Sequence, residues 1–475
     1  MPPLTSPRWG EVKKALSSSQ MPESPKAAAT YVVRSIPYAE PVEVFAALSG
    51  HSMAVMLESA GPGPDTGRYS AVACDPALVL KAEWPDAFER LDQLWNALPK
   101  FTCPADWPIG PGLFGSFGYQ LRCALERLPS RHAREDEPDD LLLGLFDTVV
   151  VFDLVERRAA VIAGDFVAER SPAAARAETL AARTIPALPP VDWTVEADWS
   201  ADLSPEEHAA GVSRVLDYIL AGDIYQANFT QRWIGPRPAG LEGLDLYRRL
   251  RALSPAPYAA LIQDGAGQAI VAASPERFLK LSPAGRIDTR PIKGTRGRGA
   301  TEDEDRDLAA ALVGSAKDRA ENLMIVDLLR NDLGRVAETG SVTVPELNAL
   351  YSFASVHHLV STVTARLSRG LTPVDLIRAS FPGGSVTGTP KIRAMQIIDE
   401  LEAGQRGAYC GAFGWIGLDG AMELSIAIRT LTLTRERVIA QAGGGIVADS
   451  DPMGEYREAL TKARPMLATL DKKYR

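Results

Sequence analysis

The chain has 475 residues, 46% hydrophobic and 23% charged, with a formal net charge of -9. That charge, without a long Lys or Arg run, argues against a nucleic-acid partner, and no apolar run reaches the roughly 18 residues of a membrane helix. Cys74, Cys103, Cys123 and Cys410 form no C-x-x-C pair, which argues against a zinc site or a disulfide framework and predicts reduced thiols. Lys13 and Lys14 are not followed by an apolar stretch, so no secretory signal is read and the cytoplasm is the expected location.

Residues 1–28, rich in Ser, Pro and Ala, predict a loose leader. Short apolar runs bounded by turn residues follow at 31–33, 53–57, 69–72, 112–119, 141–154 and 159–163, giving a β-rich lobe over 29–185 that ends in an Ala-rich helix at 172–182. Residues 186–203 are Pro-rich and aperiodic and predict a linker. A second lobe, 204–475, opens on an N-cap, a first-turn proline and a capping-box acid at Ser204, Pro205 and Glu207. Val212, Val215, Leu216, Ile219 and Leu220 then predict one apolar helix face, ended by Gly222. Strands are predicted at 224–233, 258–262, 270–273, 278–281, 286–290, 355–366, 408–417, 421–433 and 437–442, with helices at 315–336 and 389–403. This is an α+β pattern of antiparallel sheets covered by helices.

Four stretches carry candidate chemistry. Lys293 stands between Pro291 and Gly294 just past a strand, where a lysine deprived of water becomes a nucleophile; by itself it also reads as a solvated charge or, with Arg296 and Arg298, as part of an anion-holding loop. Asp318 and Glu321 stand three apart at one helix start, and Glu455 and Glu458 repeat the spacing at another. Two such pairs on facing helices suit a magnesium ion, although acids in first turns also serve as ordinary caps. The segment FPGGSVTGTPK at 381–391, which lacks Walker A spacing, and Gly443, Gly444 and Gly445 offer backbone N–H groups to an anion, or simply turns. His357 and His358 lie on a strand and must face opposite ways, so one of them can enter a site.

Together with SPERF at 274–278, PIKGT at 291–295, residues 321–335, YCGAFGW at 409–415, IRT at 428–430 and residues 443–463, these segments resemble the chorismate-utilising enzymes. The likeness is strongest from about 204 to 467. It implies two large antiparallel sheets packed around a buried site, with helices outside. It also implies that Glu321 and Glu458 bind magnesium directly, with Asp318 and Glu455 acting mainly through water. Arg429 and Tyr409 would hold the pyruvyl carboxylate of chorismate, with the Gly443 to Gly445 amides nearby. Lys462 would face the ring carboxylate, and Ser385 and His358 would touch substrate.

Within that family Lys293 points to the branch that makes 4-amino-4-deoxychorismate, because anthranilate-forming members usually carry alanine there. The resemblance implies that Lys293 attacks C2 while Glu276 protonates the departing C4 hydroxyl, and that ammonia then replaces the lysine. A glutaminase nucleophile segment, G-x-C-x-G, is missing, since Cys410 sits in AYCGA, so a separate glutamine amidotransferase is the expected partner. Residues 56–60 (MLESA) resemble the segment that lines a tryptophan pocket in these enzymes, against the plainer reading of a core strand ending at Glu58. Competing readings are anthranilate synthase, a water-using isochorismate or salicylate synthase, and a non-catalytic chorismate-binding scaffold.

Overall fold

The computed structural model describes residues 31–50, 52–60, 67–100, 102–103, 106–167, 170–353 and 356–475; the expected leader at 1–28 lies outside them. The β-branched and aromatic runs pair into a 12-stranded and a 10-stranded sheet. Their pairings are antiparallel, and both sheets mix strands from either side of residues 186–203. Ala54–Glu58 lies beside Tyr258–Gln263 in the larger sheet, and Gly112–Phe117 beside Ala412–Gly417 in the smaller. The two inner faces meet in one buried cluster that includes Met53, Val55, Phe114, Phe146, Ile262, Phe413 and Trp415. Helices cover the outer faces, where separate apolar clusters form. Among the described residues no helix is long and apolar enough to cross a membrane.

Several strands frame the site. Gln226–Pro236 (β1) pairs with Arg437–Ile446 (β4) in the larger sheet, and Ile292–Gly297 (β2) pairs with Val356–Arg366 (β3) in the smaller. The helices that matter are Glu302–Gly314 (α1), Ala316–Gly334 (α2) and Pro452–Leu467 (α3). Ser315 and Asp451 cap α2 and α3 by accepting from the N–H groups of Asp318 and Gly454, the local chemistry that sequence predicts. Ser204 and Glu207 likewise form a complete capping box on Pro205–Leu220.

Where expectation and structure differ, the causes are identifiable. The run at 141–154 splits into Leu141–Phe146 in the smaller sheet and Thr148–Asp153 in the larger. Asp147 makes the crossing, its buried carboxylate accepting from Arg170 and Thr148. The run at 421–433 divides in the same way around Arg429, which adopts a φ of 51°. Leu220 is 83% exposed because its helix ends there, leaving Val212 and Val215 as the residues buried on the predicted face. Gly443, Gly444 and Gly445 form no loop: they belong to β4, paired with Thr230, Phe229 and Asn228. A strand made of glycine has no side chains to alternate, so its period is invisible in sequence.

Candidate active site

Lys293 is carried by β2, opposite Leu359 of β3, and the ladder shifts register at the next residue. Gly294 there has a φ of 77°, and a Cβ on it would stand 3.0 Å from both the Asp318 Cβ and the Leu312 Cδ1. Only glycine lets β2 bulge and still lie against α1 and α2. Lys293 keeps some surface accessible, yet protein atoms crowd its amine. Burial therefore lowers its pKa and Lys462 adds to the effect, while Glu321, Glu276 and Glu458 oppose it.

Glu276 sits where the chain passes from Ala269–Ser274 in one sheet to Arg277–Leu281 in the other. It is 5% exposed, and its carboxylate accepts hydrogen bonds from the Ser385 hydroxyl and the Ile292 N–H. Burial nevertheless raises its pKa to about 7, against the opposing pull of those bonds and of Lys293. A poised acid and a lysine that gives up its proton readily thus share one space, with Ser385 supplied by the short turn Gly384–Val386.

The opposite wall is β4. A Cβ on Gly445 would come within 3.0 Å of Lys293 Nζ, and one on Gly444 within 2.8 Å of a Glu455 oxygen. Lys462 Nζ donates to the Gly443 carbonyl at 2.9 Å, so the Gly443 backbone groups point away from β1. The alternation of an antiparallel pair turns those of Gly445 the same way. Only glycines leave room on this wall for the lysine on one face and the acids on the other.

The two acid pairs do meet across α2 and α3, whose starts are tied by Lys317 and Asp449 at 3.6 Å. Burial raises the Glu321 pKa, and Asp318 and Glu455 raise it further against Lys293 and Lys317. Glu455 is also raised, first by burial, although it accepts from Ser450 Oγ at 2.6 Å. Glu458 feels burial too, but Lys462, 2.6 Å away, leads the lysines that leave it lowered. Asp318 is held by Arg296 at 3.0 Å, whereas Glu321 has no hydrogen bond or ion pair among the described residues. No three acidic, histidine or cysteine side chains among the described residues stand ready-made as a metal cage. Magnesium needs none, since it usually keeps several waters and takes one or two carboxylates. Two half-buried carboxyls, Glu321 and Glu455, raised partly by like charge are a donor set that such a cation suits.

At the far side, Arg429 has no ion pair among the described residues. Burial lowers its pKa while Tyr409 and Glu458 oppose that. A half-buried guanidinium without an ion-pair partner among the described residues is a ready carboxylate receptor. Tyr409 is buried, its pKa raised well above the usual value by burial and then by Cys410. His358 is pushed down to about 4 by burial and then by Arg429, so its ring is neutral, and its Nδ1 lies 2.9 Å from Thr295 Oγ1. His357 faces the other way, toward Asp305. All fourteen predicted site residues therefore belong to one neighbourhood. Gln226 was missed: it is fully buried, its side-chain amide has no hydrogen-bond partner among the described residues, and its Nε2 would be 2.9 Å from a Cβ on Gly445. The available signal was Gln226, Asn228 and Thr230, three polar residues alternating on an otherwise buried strand.

Residues 54–468 match the model of the family described as chorismate binding enzyme. This chain belongs to that family. It is 43% identical to aminodeoxychorismate synthase component 1 of Klebsiella aerogenes over 364 residues, which cover 77% of this chain and 78% of that protein. It is 38% identical to anthranilate synthase component 1 of Streptomyces coelicolor over 90% of this chain and 86% of that one. The solved structure of anthranilate synthase component I from Streptococcus pneumoniae superposes with a TM-score of 0.76 at 33% identity, covering 84% of this chain and 92% of the other.

Proposed function

We propose that this family member converts chorismate and ammonia to 4-amino-4-deoxychorismate, a precursor of 4-aminobenzoate and folate, in the cytoplasm. The observation that carries this reading is the pairing of Lys293 with Glu276: a lysine with lowered pKa and a buried acid with raised pKa. The neutral Lys293 amine attacks C2 of chorismate, the ring double bonds shift, and the C4 hydroxyl takes the Glu276 proton and leaves as water. Ammonia then bonds to C4, the double bonds shift back, and the lysine, still protonated on its nitrogen in the adduct, leaves C2 as a neutral amine, while the new C4 ammonium gives its extra proton to the Glu276 carboxylate.

The remaining residues bind and orient. Arg429 and Tyr409 hold the pyruvyl carboxylate with help from the Gly443 to Gly445 backbone, Lys462 faces the ring carboxylate, and Ser385 and His358 contact the substrate. Glu321 and Glu458, with Asp318 and Glu455 behind water, would hold magnesium, which when bound supplies positive charge to the ring carboxylate. All these groups fall within 204–475, which we assign as the chorismate-binding lobe following the 186–203 linker.

Ammonia comes from a separate glutamine amidotransferase in this reading, which the component 1 designation of the relatives supports. Tryptophan is proposed to occupy a cavity of about 260 Å³ bordered by Leu57, Glu58, Ser59, Tyr258 and Met422. Glu58 is already engaged by Arg251 at 2.8 and 2.9 Å, so the rest of that lining has to recognise the amino acid.

Product analysis with chorismate, magnesium and an ammonium salt tests the whole. Formation of 4-aminobenzoate only after addition of aminodeoxychorismate lyase is the expected result. Anthranilate would instead assign the chain with its relative from Streptomyces coelicolor, and a hydroxylated isomer would mean that water is the nucleophile.

A further inference from the structure

The helix α1 lies outside the Lys293 strand; Arg319 of α2 holds the Val313 carbonyl at its end, and two side chains fasten it to the strands. Of its thirteen residues just Leu312 is fully buried, and that side chain rests over Gly294. The other fastening is Asp305, in the first turn. Its carboxylate accepts from Arg298 Nε at 2.7 Å and Nη2 at 2.6 Å, and from the Gly299 N–H at 2.9 Å. His357 Nε2 stands 2.9 Å from the same carboxylate. The partners are themselves fixed: Arg298 Nη1 donates to the Phe353 carbonyl at 2.6 Å, and His357 Nδ1 lies 2.8 Å from Ser352 Oγ. One carboxylate therefore joins the start of α1, the end of β2, the start of β3 and the strand Thr343–Ser352.

Those joined segments carry two residues of the proposed active site. Lys293 lies on β2, and His358 follows His357 on β3, with its ring against Phe353 at 5.5 Å between centroids and against Thr295. Beyond the pairing with β3, β2 has no second strand neighbour among the described residues, so α1 and α2 brace its other side. On the α2 side the brace is Arg296 with Asp318. On the α1 side it is the Asp305 hub. A bidentate, charge-assisted contact of this kind fixes geometry as well as adding energy. Catalytic placement is sensitive to such supports, because a shift of about 1 Å in a reacting group costs on the order of 100-fold.

We propose that Asp305 is a positioning residue that clamps α1 across β2 and β3 and thereby fixes Lys293 and His358 against the substrate. The inference rests on the catalytic role proposed for Lys293, and its test separates the two. Chorismate consumption with saturating ammonium and magnesium is measured for Asp305→Asn, Arg298→Gln, the double variant, and Asp303→Asn. Asp303 lies on the same turn, paired only with exposed Arg306, so its variant controls for lost charge at the helix start. Each clamp variant is expected to lose about tenfold or more in kcat with chorismate KM within about twofold, the double variant to be no worse than either single, and Asp303→Asn to resemble wild type. Amide hydrogen exchange in the clamp variants should speed up at 292–298, 302–314, 352–353 and 356–358 and in no other described segment.

A kcat within about twofold of wild type in Asp305→Asn overturns the clamp. So does faster exchange throughout the chain, which marks a merely structural role. If wild type itself consumes no chorismate, the functional reading falls, and exchange alone judges the clamp: unchanged rates at 292–298 overturn it.

Discussion

Replacing Glu276 by glutamine separates what this carboxyl does for stability from what it does for catalysis. Its pKa rises from 4.5 to about 7, chiefly through burial. At roughly 1.4 kcal/mol for each factor of ten, the buried carboxylate costs the folded state about 3 kcal/mol once ionised. Below pH 4.5 folded and unfolded chains both hold the proton and nothing is lost. Between 4.5 and 7 the unfolded chain ionises while the folded one keeps its proton, so stability falls as pH rises; above 7 the full cost is present. The amide of Glu276→Gln still accepts from Ser385 and Ile292 but never ionises. Relative to wild type the variant should therefore gain about 3 kcal/mol on going from pH 4.5 to pH 8, whatever constant offset its packing introduces. It should also lose about 100-fold or more in turnover, since an amide is no general acid. Urea melts at the two pH values in the presence of a chelator, alongside chorismate consumption, read both effects. A stability difference that is the same at both pH values refutes the buried-carboxylate argument, and full turnover in the variant removes Glu276 from the chemistry.

Three further outcomes follow from the same geometry. Intact-mass analysis of a quenched reaction should reveal a chorismate-derived adduct on wild type and none on Lys293→Ala, whose turnover should fall at least about 1,000-fold; an active Lys293→Ala sinks the covalent route. Glu321→Gln removes the one acid of the four without a hydrogen-bond or ion-pair partner among the described residues, so half-maximal turnover should need about 10 to 100 times more magnesium, and an unchanged magnesium titration would remove Glu321 as a ligand. Equilibrium dialysis should detect tryptophan bound at one per chain, and substituting Ala421 by tryptophan to fill the cavity should abolish that binding; uptake that persists in the filled variant points elsewhere.

Much of the fold could be read from local sequence because its causes are local. Helix starts at Ser204, Ser315 and Asp451 depend on side chains reaching their own backbone three residues on, and all three caps are present. Strand periods follow from alternating burial, except where a run crosses from one sheet to the other. No periodicity marks the crossings at Asp147 and Arg429, because both flanking strands are apolar and the change of sheet rests on partners far along the chain. Asp305 was concealed for a related reason. In the stretch from Glu302 to Asp305 four acids read as a solvated helix start, and of them Asp305 alone reaches Arg298 and His357.

The acid pairs carry that argument into the site itself. Spacing of three put Asp318 with Glu321, and Glu455 with Glu458, on single helix faces, but it could not rank them. The ranking comes from other elements: Arg296 on β2 takes Asp318, Ser450 ahead of α3 takes Glu455, and Lys462 one turn on takes Glu458. Glu321 is left as a half-buried carboxyl that, among the described residues, has only the nearby charges of Lys293 and Lys317 to offset its own. Four acids that look equivalent in sequence thus differ in charge and freedom. The one that no protein group restrains is the one with most to gain from a cation.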